Sequence, residues 1–367
     1  MTPEQLKKSI LQLAIQGKLT EEFRAQSLER REKDLAESTS SHNRHCEATI
    51  DTSLRGVKNA VAIQYKLPFL RGDVEQSETE RFLNNNEEIS MSKNPPVCQR
   101  QTSLQWQSHP VATCTPPSLA AAFTKEGKLE TAEELYKQIQ AEKAELIKQG
   151  KIKKDKNESA IFKRGNSYFE KIGDTEKCID DELPFDIPDS WRWVKLDELA
   201  TKEIRRGKSP KYSEKGSAFA FAQKCNSKYE GIKLELALYL DDASLKRYSE
   251  EEAIIDKDII INSTGTGTLG RIGFYKESYN ILKAKYYPDS HVTVLRVTPK
   301  VLPEFVFSCL KYHHPWLEKQ GEGSTNQKEL KPHTIKNLLI PLPPLAEQHA
   351  IVAKIEELFA LVDNLPK

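Results

Sequence analysis

The feature that most constrains the fold of this chain is a turn rich in glycine and hydroxyl groups that lies between two apolar runs. Ile259, Ile260 and Ile261 precede the turn, residues 262–271 form it, and a β-prone run at 272–275 follows. Runs of β-branched and aromatic residues on both sides of such a turn are typical of two strands joined by a loop. The pattern therefore predicts a strand–turn–strand unit inside a domain that contains a β-sheet.

The glycines of this turn, Gly265, Gly267 and Gly270, also have the spacing of a dinucleotide-binding loop. That motif requires a helix directly after the glycines, so that its N-terminus faces the pyrophosphate, and an acidic residue about 20 positions later. A β-prone run follows instead, and Ser290 and His291 occupy the place of the acidic residue. A nucleotide-dependent enzyme built on this loop therefore remains only as an alternative interpretation.

The composition excludes some classes of protein without selecting one. The chain has 367 residues, a formal net charge of +1 and 30% charged residues, so bulk charge gives no indication of its partners. No apolar run approaches the roughly 18 residues that cross a bilayer, so no membrane partner is expected. The six cysteines include no C-x-x-C pair, which predicts free thiols in a reducing cytoplasm and no metal site.

Three segments have the spacing of amphipathic helices. Thr2, Pro3 and Gln5 are typical of a capped helix start, and Thr131 with Glu134 predicts a second capping box. Near the C-terminal end, apolar residues recur every four and three positions, which indicates a coiled-coil seam that can pair with the first helix. The predicted subunit interface consists of the apolar stripes of the first and last helices, namely Leu6, Ile10, Leu13, Ile351, Ile355, Leu358, Val362 and Leu365.

These patterns divide the chain into parts of different character. The predicted parts are an N-terminal helix at 1–19, a largely irregular or disordered insertion at 20–124, a helical segment at 125–156, a β-containing domain at 183–343 and a coiled-coil helix at 344–367. The predicted fold is an α/β (α+β) domain flanked by long amphipathic helices that form a coiled-coil spacer. Trp191 and Trp193 are expected to close the core where the domain begins.

Several polar segments of the 183–343 domain carry the side chains that DNA recognition needs. Cations neutralise phosphates, and amide or guanidinium groups bond base edges. A basic loop lies at 202–211, amides at 223–228, hydroxyl groups in the glycine turn and a further polar tip at 326–328. The candidate DNA-binding residues are Arg205, Arg206, Lys208, Ser209, Lys211, Gln223, Lys224, Asn226, Ser263, Thr264, Thr266, Arg271, Asn326, Gln327 and Lys328.

The order of the motifs adds a resemblance to a known family. The glycine turn, together with residues 289–294, 319–328 and 341–348, resembles the target-recognition domain of the DNA specificity subunit of type I restriction–modification systems. The resemblance covers about residues 183–365, with shorter blocks at 1–19 and 131–156. It implies a target-recognition domain followed by helical regions, and it assigns recognition to the domain as a whole.

The resemblance also implies partners. Such a subunit binds double-stranded DNA and docks methyltransferase subunits, which carry S-adenosylmethionine and methylate adenine, and restriction subunits that use ATP can join them. No cofactor is expected in this chain. No spaced carboxylate cluster or nucleophile motif is present, so we expect a protein that is not itself an enzyme.

Family members usually hold two recognition domains, whereas this sequence has one. We therefore expect a half-length form that pairs with itself or with a second half through the helical seam. A self-pair would read an inverted, two-part site, because the symmetry of a protein is mirrored in its target. The second alternative is a helical adaptor that contacts the methyltransferase but not DNA.

Overall fold

The helices and strands of the computed structural model follow one another in mixed order. It describes residues 2–29, 130–154, 159–228, 231–265, 267–323 and 328–365. The helices are α1 (Pro3–Ile15), α2 (Ala132–Lys148), α3 (Asp242–Leu245), α4 (Pro303–Lys319), α5 (Pro332–Lys336) and α6 (Leu345–Asp363). The strands are β1 (Ser159–Arg164), β2 (Ser167–Ile172), β3 (Thr175–Cys178), β4 (Arg192–Lys195), β5 (Tyr212–Ser213), β6 (Ala218–Phe221), β7 (Leu238–Leu240), β8 (Ile259–Asn262), β9 (Ile272–Phe274), β10 (Lys285–Pro288), β11 (Val292–Leu295) and β12 (Leu339–Leu342).

The starts of the first two long helices follow from local capping chemistry. In α1 the Thr2 side chain accepts the backbone N–H of Gln5, and the Gln5 side chain accepts the N–H of Thr2. Thr131 and Glu134 make the same reciprocal pair at the start of α2. Each box satisfies two N–H groups that the helix leaves without an intrahelical partner. Both predicted capping boxes are confirmed.

The first and last helices pack against each other in antiparallel orientation. At one end Lys7 Nζ lies 2.5 Å from Asp363 Oδ1, and at the other Thr20 donates to Glu347 Oε1 at 2.7 Å. Helix α4 contacts both α1 and α6. The apolar stripes are therefore buried inside this three-helix cluster, where Leu6, Ile10, Ile351, Ile355, Leu358 and Val362 are buried and Leu13 and Leu365 are half-buried.

This packing corrects the predicted subunit interface. The pairing of the first and last helices is confirmed, but it forms within one chain. An apolar stripe can be buried only once, so these residues are not free to join a second copy. Among the described helices, α4 supplies a third packing face to α1 and α6, and the long coiled-coil spacer stays a prediction.

The folded N-terminal segment extends beyond the predicted boundary at residue 19. Residues 18–20 form a 3₁₀ turn, and residues 21–29 are helical. Thr20 and Arg24 both donate to Glu347 at the start of α6. The rest of the predicted insertion, at 30–124, lies outside the described residues.

Helix α2 docks on the turn that follows β4. Leu135 and Ile139 are buried, and the hydroxyl of Tyr136 donates to Glu198 Oε2 at 2.6 Å. Lys143 Nζ lies 2.9 Å from Asp197 Oδ2. The predicted helical segment is thus attached by both apolar and charged contacts to the α/β region at 183–343, which we call the mixed domain.

An antiparallel sheet that was not predicted, with the strand order β1-β2-β3, lies between α2 and the mixed domain. Most of its side chains are exposed, but Ile161 packs into a core cluster with Ile179 and Trp193. Trp193 is fully buried, as predicted. This cluster connects the small sheet to the first strand of the mixed domain.

The mixed domain contains parallel and antiparallel pairs, which confirms the predicted mixed α/β class. Its sheets have the orders β10-β6-β7-β5, β11-β8-β9 and β12-β4, and only β10 and β6 are parallel among the described strands. Strands β8 and β11 are fully buried because both their faces are covered. Strands β4 and β12 pair across the two ends of the domain, with Trp193 opposite Pro341.

A candidate nucleic-acid interface around the glycine turn

The glycine turn joins two antiparallel strands, as predicted. Ile259 of β8 pairs with Phe274 of β9, and no helix follows the turn. Gly270 has a φ of +71°, and a Cβ at this position would lie 3.0 Å from the backbone nitrogen of Glu318 and 3.1 Å from Leu317 Cβ. The glycine is therefore needed both for the left-handed backbone and for close packing on α4. This geometry gives no support to the dinucleotide alternative.

One side of the turn carries a hydrogen-bonded set of polar side chains. Thr264 Oγ1 and His291 Nδ1 share a hydrogen bond of 2.6 Å, and the Thr268 hydroxyl donates to Gln223 Oε1 at 3.2 Å. The backbone N–H of Gly265 donates to the carbonyl of Lys328 at 3.2 Å. Three polar segments that are distant in sequence, around residues 223, 291 and 328, thus meet at the glycine turn. We call Gln223, Thr264, Thr268, His291 and Lys328 the polar surface.

The position of His291 within this surface is fixed by Asp289. Asp289 is 1% exposed, and its Oδ1 accepts the backbone N–H of His291 at 2.8 Å. Burial raises the pKa of Asp289 to about 6, although the hydrogen bond and the nearby imidazole act in the opposite direction. The side chain of His291 itself is exposed. Sequence reading missed His291 as a site residue, since its role depends on its contact with Thr264.

Two predicted DNA contacts are corrected by burial. Asn226 is fully buried, and its amide nitrogen donates to Asn262 Oδ1 and to the carbonyl of Arg271, each at 3.2 Å. Ser263 is also fully buried and shares a 2.7 Å hydrogen bond with Thr293 Oγ1. These side chains hold the turn on the sheet and do not reach a surface that DNA can approach.

The cations of the predicted basic loop are mostly neutralised within the chain. Arg205 Nη2 lies 3.0 Å and Lys208 Nζ 2.6 Å from the carboxylate of Glu252, and Arg206 Nη2 lies 2.6 Å from Glu329 Oε1. Burial acts to raise the pKa of Glu252, but the hydrogen bond from Lys208 and the charge of Arg205 hold it below its usual value. These cations therefore serve mainly to hold the loop in place.

Apart from Arg271, the remaining predicted DNA-binding residues are either exposed or lie outside the described ranges. Ser209, Lys211, Lys224 and Lys328 are exposed. The carbonyl of Ser209 accepts a hydrogen bond from Arg247 at 2.7 Å, and the backbone N–H of Lys211 donates to Ser244 at 2.8 Å. The predictions for Thr266, Asn326 and Gln327 fall on residues that lie outside the described ranges.

A second group of cations adjoins the other side of the glycine turn. Arg271 ends the turn, and Lys311 and His314 lie on α4, against which the turn packs through Gly270. Burial and then the charges of Lys311, Arg271 and Lys228 lower the pKa of His314, whereas Glu318 acts to raise it. We call Arg271, Lys311 and His314 the cationic cluster. Arg271 was a candidate from the sequence, but its grouping with Lys311 and His314 was not foreseeable, because these residues are remote along the chain.

Among the residues that the structure describes, no group of three or more His, Cys, Asp or Glu side chains could hold a metal ion. Within the same ranges, no helix has the length and apolar character needed to cross a membrane. The chemistry available at the glycine turn consists of hydrogen bonding and positive charge. A mixed α/β domain that presents amide, hydroxyl, imidazole and cationic groups on adjacent loops belongs to the class of domains suited to binding nucleic acid.

The sequence comparisons agree with this class. Residues 188–366 match the family described as the type I restriction modification DNA specificity domain. These residues, just under half of the chain, are therefore similar to that DNA specificity domain. The matched region includes the polar surface, the cationic cluster and α6.

Curated relatives include two proteins from Escherichia coli. The chain is 28% identical over 256 residues to the type I restriction enzyme EcoAI specificity subunit, and 29% identical over 245 residues to the EcoEI specificity subunit. Each match covers 64% of this chain and 36% of the relative. The chain therefore spans about a third of the length of these relatives.

Solved structures with some similarity include the HsdS subunit from Thermoanaerobacter tengcongensis. It has 21% sequence identity and a TM-score of 0.36, and the match covers 49% of this chain and 41% of that chain. A chain from a structure of a type I R-M system has 21% identity and a TM-score of 0.39, with coverage of 50% and 43%.

Proposed function

We propose that this chain is a sequence-specific DNA-binding subunit of a type I restriction–modification complex. The observation that carries the proposal is the convergence of three polar segments on the glycine turn, inside the domain that matches the specificity family. In this role the chain directs adenine methylation, and restriction, to a two-part target. The catalytic steps belong to partner subunits.

The polar surface has groups suited to base edges. Gln223 Oε1 accepts from Thr268, and no described residue accepts a hydrogen bond from the Gln223 amide nitrogen. An amide donor and an imidazole held by Thr264 can read acceptors and donors in the major groove. The proposed base contacts are therefore Gln223, Thr264 and His291, with Lys224, Lys211 and Lys328 at neighbouring exposed positions.

The proposed partners are double-stranded DNA, methyltransferase subunits and restriction subunits. S-adenosylmethionine and ATP would be bound by those partner subunits. The names of the relatives support a specificity role within a larger complex. The buried stripes of α1 and α6 are already occupied in this chain, so pairing with a second copy or a second half would use another surface.

Methylation mapping tests this function. The chain is expressed in cells together with its methyltransferase partner, and methylated adenines are located by single-molecule sequencing. We expect methylation confined to one two-part sequence, and a change of that sequence in Gln223→Leu. Methylation spread over unrelated sequences, or an unchanged target in the variant, would contradict the assignment of the polar surface.

A further inference from the structure

Arg271, Lys311 and His314 are brought together by the packing of the glycine turn on α4. The backbone of Gly270 lies against Leu317 and Glu318, and the rings of Phe274 and Phe307 have centroids 5.2 Å apart. Residues on both sides of this contact therefore share one face of the domain. Sequence order alone would not place these three basic side chains near each other.

The cluster is held by contacts that leave hydrogen-bond donors available. Arg271 Nη1 donates to the carbonyl of Asn226 at 2.8 Å, and Nη2 donates to the carbonyl of Gly267 at 3.0 Å. A guanidinium group has five N–H donors, so these two bonds do not exhaust it. Lys311 Nζ lies 6.0 Å from the centroid of the Phe307 ring. The packing thus limits where both cations can point.

The positive charge of the cluster is not neutralised by an ion pair within the described part of the chain. Neither Arg271, Lys311 nor His314 forms an ion pair there, in contrast to Arg205, Arg206 and Lys208. Burial and then the charge of Arg271 lower the pKa of Lys311. Lys228 adds a further positive charge near His314, and Glu318 is the carboxylate that opposes it.

We infer that Arg271, Lys311 and His314 form a binding site for the phosphate backbone of duplex DNA, independent of base sequence. Repulsion between Arg271 and Lys311 is relieved when a phosphate enters, and counterions are released from the DNA. The inference rests on the proposed function, because it takes DNA as the ligand of this domain. It adds a phosphate site that anchors the duplex beside the polar surface.

Binding of the full chain to random-sequence duplexes at several salt concentrations tests the site. We expect Lys311→Gln to weaken binding to every duplex and to reduce the slope of log affinity against log salt by about 0.9. Between 50 and 200 mM salt, the unmodified chain should then lose about three- to fourfold more affinity than the variant. Lys137→Gln is the matched control, because Lys137 is an exposed lysine on α2.

Further variants separate the phosphate site from loss of folding and from the proposed function. Lys311→Arg should restore the slope, and the thermal melting of all variants should match that of the unmodified chain. If Lys311→Gln leaves affinity and slope unchanged while the chain still prefers one sequence, the phosphate site is wrong and the proposed function stands. If the chain has no sequence preference but the variant binds every duplex more weakly, the phosphate site stands and the sequence-reading function fails.

Discussion

The indole nitrogen of Trp191 donates to Glu347 Oε2 at 2.8 Å, which ties the start of the mixed domain to the first turn of α6. The other carboxylate oxygen of Glu347 accepts from Thr20 at 2.7 Å and from Arg24 at 2.6 Å. Glu347 is 2% exposed, so these bonds form largely away from water. One carboxylate therefore joins the N-terminal segment, the mixed domain and the C-terminal helix.

Replacement of Glu347 by alanine should destabilise the chain strongly. Arg24 and Trp191 would each lose a buried partner, and breaking a buried pair in this way costs about 3 kcal/mol or more in the free energy of unfolding. Urea unfolding followed by tryptophan fluorescence measures the change. Asp363→Ala is the control, because the ion pair of Asp363 with Lys7 is largely exposed and should contribute less than about 1 kcal/mol. Equal losses in the two variants would contradict the central role of Glu347.

Stability should fall in mild acid because of His313. Burial lowers the pKa of His313 to about 4, and its buried Nε2 has no hydrogen-bond partner among the described residues. The unfolded chain, with a pKa near 6.5 at this residue, binds the proton more readily than the folded chain. The contribution of the neutral His313 side chain to the free energy of unfolding is therefore complete above the pKa that His313 has in the unfolded chain. This contribution is lost as the pH falls from about 6.5 towards 4.

His313→Leu isolates this effect. The free energy of unfolding is measured between pH 4 and pH 7.5 for the unmodified chain and the variant. As the pH falls, this free energy should decrease less in the variant than in the unmodified chain. The expected change across this range is at most about 3 kcal/mol. A variant whose pH dependence is identical to that of the unmodified chain would exclude His313 as the cause.

DNA affinity should increase as the pH falls, through His314. In the free chain, burial and the charges of Lys311, Arg271 and Lys228 lower the pKa of His314, with Glu318 opposing them. A bound phosphate favours the imidazolium and raises this pKa, so binding takes up a proton and becomes tighter at lower pH. Affinity for random-sequence duplexes is compared at pH 6 and pH 8 in the unmodified chain and in His314→Gln. The variant should show the smaller change, and an unaltered pH response would count against His314.

Base discrimination should depend on Thr264. Thr264→Val removes the hydroxyl that bonds His291 at 2.6 Å while it preserves side-chain volume. The loss of a positioned base contact costs about 1–3 kcal/mol of discrimination against a wrong base. Competition between the preferred duplex and single-mismatch duplexes measures this change. Thr201→Val is the matched control, since the Thr201 hydroxyl bonds the carbonyl of Arg296.

We expect Thr264→Val, but not Thr201→Val, to reduce discrimination between matched and mismatched duplexes. The affinity for random duplexes should stay unchanged. Loss of affinity for every duplex to the same extent would instead assign Thr264 a structural role.

The parts of the fold that depend on local chemistry were predictable from the sequence. The capping boxes at Thr2 and Thr131 fix where α1 and α2 begin, and the apolar runs around the glycine turn predict β8 and β9. In each case the interacting groups lie within a few residues of one another. The pairing of α1 with α6 was predictable because their stripes are complementary, but its location inside one chain depends on α4 as well.

The candidate site was predictable only in outline. Asn226 has the chemistry of a base reader, yet long-range packing buries it under the glycine turn. Lys208 belongs to a basic loop, yet Glu252 neutralises it from a distant part of the chain. His314 acquires its role from Arg271 on a different element. Charge and burial at a site depend on neighbours that sequence spacing does not reveal.

The most direct test of the central claim is selection of duplexes by the full chain from a pool with a randomised segment, followed by sequencing of the bound fraction. We expect enrichment of one base pattern, and loss of that enrichment when Gln223→Leu and Thr264→Val are combined. Equal recovery of every sequence by the unmodified chain would contradict the claim that the surface around the glycine turn reads DNA sequence.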